Sequence, residues 1–160
     1  MSVNLIQNFS FEDGLAGWST SGPVTTATPI DVFERATLAE LGQTLLPGDT
    51  AIISQLVPVP PEATHFHVVY AVKPQLINVG DLEVQVEFRG SANLDPPLPL
   101  RRRDVIDVIN SGALTLLAWQ TRYAVTGEIP PDTAWARLRF IHPGTLLGVL
   151  QIDAVYMTTD

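Results

Sequence analysis

At 160 residues and 17.4 kDa the chain has the length of one ordinary domain, and 46% hydrophobic against 16% charged residues excludes a disordered segment. A formal charge of −8 weighs against nucleic acid as a partner, because a phosphate backbone calls for a basic patch. The lack of cysteine excludes disulfides, thiolate nucleophiles and zinc–thiolate sites, and no apolar run reaches the roughly 20 residues of a membrane-spanning helix.

In chain order, Leu5, Phe9 and Phe11 lead through Glu12-Asp13-Gly14 to Trp18. This predicts a first strand ending on a carboxylate, then a turn that returns Trp18 to the core. Met1-Ser2-Val3-Asn4 enters that strand with no basic n-region or apolar h-region, so no export signal is expected in the chain itself. Ser19 to Ile30 reads as loop with one short strand near Val24–Thr28. Glu34 to Leu41 has helical propensity, but Ala36, Leu38 and Glu40 alternate against Thr37, Ala39 and Leu41, which favours a strand. Pro47-Gly48-Asp49 marks a turn, Thr50 to Val57 a strand, and Pro58 to Pro61 its end.

Thr64 to Lys73 is apolar on both faces, as in a central strand. Asp81 to Arg89 has the cleanest alternation, with Leu82, Val84, Val86 and Phe88 opposed to Glu83, Gln85, Glu87 and Arg89. Gly90 to Arg103 is Pro-rich and predicted to be a long loop, with Arg101-Arg102-Arg103 solvated at its end. Leu114–Val125, Ala134–Ile141 and Val149–Thr158 supply the last strands. About nine short strands, with Pro/Gly turns and no alternation with helices, predict a single all-β domain: a two-sheet antiparallel sandwich.

The spacing Asn8-x-x-Phe11-Glu12-x-Gly14-x-x-x-Trp18 resembles the opening of carbohydrate-binding modules of the galactose-binding-like, jelly-roll class. Ile53-Ser54-Gln55-Leu56-Val57 before a proline turn, Trp119-Gln120-Thr121, Ile129-Pro130-Pro131 and Ala136 to Phe140 resemble later segments of the same modules, in the same order. Gln151-Ile152-Asp153-Ala154-Val155 is similar to their closing strand, with Ala154 in place of a second acid. The opening also resembles N-terminal domains of spore-surface proteins from Gram-positive bacteria, which points to a cell or spore surface.

Asp153 shares parity with Val155 and Met157, and a carboxylate directed at a core needs a partner or a cation. In a sandwich of this class the first and last strands are neighbours, so Glu12 and Asp153 would meet at a sheet end. The resemblance implies a structural Ca2+ held there by Glu12 and Asp153, with the carbonyl of Ser10 and carbonyls of the loop near Arg35 completing the shell. The alternative is that both acids accept hydrogen bonds from loop amides or pair with an arginine. His65, His67 and His142 have no metal-ligand spacing.

Sugar-binding sandwiches stack aromatic rings on sugars and use amides and charged groups for the hydroxyls. Trp135 lies on the polar parity of its strand beside Arg137 and Arg139, and Gln85, Glu87 and Arg89 could line the same sheet; Trp119 and Tyr123 are second-choice platforms. The alternative for each ring is core or edge cover. No Gly-x-Ser-x-Gly elbow, phosphate loop or His-Glu-x-x-His occurs, so a non-catalytic module is expected. Two functions follow: carbohydrate binding through an exposed aromatic, or a self-associating structural module of a spore coat or other surface layer. The second is favoured by the single lysine and the apolar richness, and it predicts a homo-oligomer.

Overall fold

The computed structural model describes residues 3–43, 49–75, 81–90, 100–110, 117–143 and 148–160. The predicted Pro47-Gly48 turn, residues 91–99 of the Pro-rich loop, the start of the Leu114 strand and Gly144-Thr145 lie outside them.

Among the described residues, ten strands form two five-stranded antiparallel sheets, and there is no helix. In chain order they are β1 Ser19–Ser21, β2 Val24–Ala27, β3 Leu38–Gln43, β4 Ala51–Pro58, β5 Phe66–Pro74, β6 Leu82–Arg89, β7 Leu100–Ile109, β8 Gln120–Val125, β9 Trp135–His142 and β10 Gly148–Thr159. Sheet A has the order β1-β4-β9-β6-β7 and sheet B the order β2-β3-β10-β5-β8. The expected sandwich is the observed one, and alternation is its cause. Ile53 and Val57 on β4, Val84, Val86 and Phe88 on β6, and Leu138 and Phe140 on β9 meet Phe66, Val68, Tyr70 and Val72 of β5 and Leu150, Ile152, Val155 and Met157 of β10 in one core.

Several expected elements differ. Residues 3–18 are not a strand; they run beside β10 through Leu5 N–H to Met157 O (2.8 Å) and Val155 N–H to Phe9 O (2.9 Å). Side chains there replace a ladder: Asn4 Oδ1 accepts from the N–H groups of Ile6 and Met157, and Asn8 and Phe11 have φ of 49° and 56°. The chain ends are neighbours as expected, and Trp18 is buried, stacked on Phe11 with its Nε1 donating to Asn8 O. Ser19–Ser21 is a strand rather than loop. The strand expected from Glu34 begins only at Leu38, because Arg35 turns the chain at φ 59°.

Arg101 to Arg103 belong to β7, not to a solvated loop. β7 is an edge strand paired only with β6 in the sheet. Across the sandwich, Asp107 of β7 accepts from Tyr70 Oη (2.9 Å) and, in a two-point contact, from Arg122 of β8 (3.0 and 2.8 Å), tying the two sheets. Burial first, then the charge of Asp107, pushes the Tyr70 hydroxyl far above its ordinary value, so it stays a neutral donor.

Candidate functional site

The outer faces of the two sheets have different surroundings. Over sheet B, residues 31–37 are tied down at four places. Lys73 Nζ donates to the carbonyl and carboxylate of Asp31 (3.1 and 3.0 Å), and Phe33 lies against Trp119. Glu34 N–H donates to Asp153 Oδ2 (2.7 Å), while Ala36 and Thr37 N–H donate to Glu12 Oε1 (2.9 and 2.8 Å). Tyr156 Oη adds a bond to the Glu34 carboxylate.

Glu12 and Asp153 are thus brought to the same segment, one at each end of a short stretch of backbone. Asp153 is not there by the expected parity. A bulge at Ala154 (φ 51°) shifts the register between Asp153 and Tyr156, so Leu150 and Ile152 face the core before it and Val155 and Met157 after it. Asp153 therefore projects from the outer face, where residues 33–34 bury it completely. Burial first pushes its carboxyl up to about 6; the Glu34 and Ala154 N–H bonds act against this, and the nearby Glu34 carboxylate acts with it. Glu12 is exposed, and the Ala36 and Thr37 amides hold it below the ordinary carboxylate value. No group of three His, Asp or Glu side chains converges among the described residues. What fits a hard cation is a buried, under-neutralised carboxylate and a second carboxylate bound to the same loop; Ser10, the third predicted ligand, is buried two residues before Glu12.

The outer face of sheet A gathers five of the seven predicted ligand residues. In the β6–β9 register Gln85 lies opposite Arg139, Glu87 opposite Arg137 and Arg89 opposite Trp135. β4 brings Ser54 opposite Arg139 and Pro58 opposite Trp135; β7 brings Arg103 opposite Glu87. Trp135 is half-buried.

Glu87 is the centre of this face and is 1% exposed. Its Oε1 accepts from Arg103 Nε and Nη2 (3.1 and 2.7 Å) and from Arg139 Nη1 (3.0 Å). Its Oε2 accepts from Arg89 Nε and Nη2 (3.3 and 2.8 Å), with Arg137 Nη1 at 4.0 Å. Burial alone would raise its pKa, but the Arg89 and Arg103 hydrogen bonds and the Arg139 charge outweigh it and hold the carboxyl below its ordinary value. Arg137 donates through Nε and Nη2 to Ser54 Oγ (3.1 and 3.0 Å), and Arg139 Nη1 to Gln85 Oε1 (3.0 Å).

Tyr123 on β8 and Trp119 just before that strand lie with the opposite sheet and are not brought to this face. Trp119 lies under the Lys73 ammonium, 4.9 Å from the ring centre, and Tyr123 stacks on His67 with Oη and Nδ1 2.8 Å apart. Three residues of the cluster lay outside the predicted site: Ser54, Arg103 and Arg139. Arg139 shares the parity of Arg137 and was legible, whereas Arg103 needed the β6–β7 register.

The sequence matches no protein-family profile and no curated protein. Among solved structures the chain is similar to the enzymatically active domain of tailspike protein 4 of bacteriophage CBA120, with a TM-score of 0.73 and 16% identity; the match covers 99% of this chain and 22% of that one. It is similar to a family 61 carbohydrate-binding module solved with β-1,4-galactotriose (TM-score 0.67, 15% identity, 99% of this chain and 100% of that one). A family 16 carbohydrate-binding module is also similar (TM-score 0.69, 17% identity, 96% and 99%). At these identities the likeness is one of fold: the β-sandwich of carbohydrate-binding modules.

Proposed function

We propose that the chain is a non-catalytic carbohydrate-binding module that takes a glycan on the outer face of sheet A. Trp135 is the stacking platform, Gln85 and Arg137 bond the hydroxyls, and the buried Glu87–Arg89 pair holds the guanidiniums of the face in place. The observation that carries this reading is the convergence of an aromatic ring with amide, carboxylate and guanidinium groups on one sheet face, in a fold whose neighbours include named carbohydrate-binding modules. On a glycan array, Trp135→Ala is expected to weaken binding by about tenfold or more, the loss typical of a truncated aromatic anchor, with little change in thermal midpoint. Unchanged affinity would remove Trp135 from the site and move the search to Trp119 and Tyr123.

A specific feature favours a second reading, self-association. Leu100, Val105 and Val108 are exposed on β7, which among the described strands of its sheet pairs with β6 alone, and such an edge can accept another chain. A stable oligomer by light scattering, with a silent array, would replace the first reading by this one.

The same reading assigns a structural Ca2+ to Glu12, Asp153 and the Ser10 carbonyl. When bound it supplies the positive charge that buried Asp153 lacks and fixes residues 33–37. With calcium at 100 times its Kd, linkage predicts about 2.7 kcal/mol of added stability, or roughly 5–10 °C for a domain of this size. A melting curve unmoved by EGTA would leave both carboxylates as caps for loop amides alone.

A further inference from the structure

We propose that the glycan taken by the outer face of sheet A is an acidic one, bearing carboxylate or sulfate groups that the arginines of β6, β7 and β9 receive. This deepens the reading above and rests on it.

The chain carries nine Lys and Arg against seventeen Asp and Glu, yet four of the nine (Arg89, Arg103, Arg137 and Arg139) meet on this one face. Among the described residues of these strands, the acids on the same face are Glu83 and Glu87. An acidic protein thus keeps a surplus of positive charge in one place. That concentration costs something: burial and then the charges of Arg139, Arg89 and Arg103 pull the Arg137 guanidinium below its ordinary value, against the pull of Glu87. A cluster held together only for stability would be closed, with each donor matched to an acceptor.

This one is not closed. Glu87 already accepts from Arg89, Arg103 and Arg139, and Glu83 accepts from Gln85 Nε2. Arg137 has the neutral Ser54 hydroxyl for two of its donors. Arg89 Nη1 and Arg139 Nε are buried and find no hydrogen-bond partner. The Arg89 side chain is 5% exposed and anchors Glu87, whereas Arg103, Arg137 and Arg139 are 44%, 24% and 15% exposed and present donors outward. Among the described residues of this face, no anionic acceptor remains beyond Glu83 and Glu87. A planar guanidinium meets carboxylate or sulfate oxygens with two parallel bonds, which a neutral hydroxyl cannot match. Trp135, opposite Arg89, lies at the end of the cluster where a sugar ring carrying that group would stack.

Calorimetric titration of the wild-type chain tests this, using an oligogalacturonide, a sulfated galactan oligosaccharide, a neutral galactan oligosaccharide of equal length and a single-stranded oligodeoxynucleotide. The expected result is at least tenfold tighter binding of one acidic glycan than of the neutral one; which acidic arm responds identifies the anion. That affinity should fall by about tenfold or more between 50 and 500 mM NaCl, as screening predicts. Arg137→Gln and Arg139→Gln should each weaken acidic binding by a clearly larger factor than they weaken any neutral binding. If either variant fails to fold, the wild-type comparison and its salt dependence still decide. Neutral and acidic glycans bound equally, without salt dependence, would overturn the acidic assignment and leave the carbohydrate reading intact. No binding of any glycan would overturn the carbohydrate reading itself. An oligonucleotide bound as tightly as the acidic glycan would overturn the assignment to sugar.

Discussion

Replacing Glu87 with alanine is expected to cost about 3–5 kcal/mol of stability, the range for breaking a buried ion pair by removing one partner. The carboxylate accepts from three guanidiniums and has a fourth 4.0 Å away, and its side chain is 2% exposed. Without it, like charges face one another across β6, β7 and β9 with little water between them. Glu87→Gln keeps an acceptor and loses the charge, so a smaller loss is expected, about half as large, because hydrogen bonds to a neutral group are weaker than charge-assisted ones. Urea unfolding reads both, with an unchanged slope showing that the denatured state is the same. A loss below about 1 kcal/mol, the size of an exposed pair, would mean that the arginines are solvated and the cluster is a surface feature.

The second large effect is expected at Gly42. Its φ is 111°, a region that side chains rarely adopt, and an added Cβ would overlap the carbonyl oxygen of Gly148 and come within 2.9 Å of the His142 ring. Backbone strain of about 1–3 kcal/mol and overpacking of about 1–3 kcal/mol put Gly42→Ala at roughly 3–5 kcal/mol. Gly42 pairs with Val149 where β3 joins β10, so neither strand can move without disturbing the sheet. A midpoint within a degree or two of wild type, by thermal melting, would show that this junction yields.

The sequence was most informative where a strand serves one face to water and one to the core. From Leu82 to Arg89 simple alternation placed Glu83, Gln85, Glu87 and Arg89 on one side, and the same logic put Trp135 with Arg137 and Arg139. What it lacked was pairing. Nothing local says that Arg103 lies opposite Glu87; Pro96, Pro97 and Pro99 just before β7 favour a loop through Arg103, and Val105, Ile106, Val108 and Ile109 fall in no expected element despite their strand propensity. The parity of Asp153 failed for another reason. Counting by twos back from Met157 assumes an unbroken ladder, and the bulge at Ala154 adds one residue with no mark in the sequence beyond the alanine itself. The opening segment misled because Phe9 and Phe11 have strand propensity, while Asn4 and Asn8 supply side-chain bonds that make a strand unnecessary.

Among the described residues, 31–37 lie across the outer face of sheet B and not that of sheet A, so the two outer faces differ. On the proposed glycan reading, one such face means one point of attachment per copy. Firm retention on a repeating polymer then has to come from tethering copies together, where the second contact forms at high effective concentration and can raise overall affinity by about 10²–10⁴ without any new contact. The covered face of sheet B is the side on which a neighbouring unit could rest without obstructing the grip.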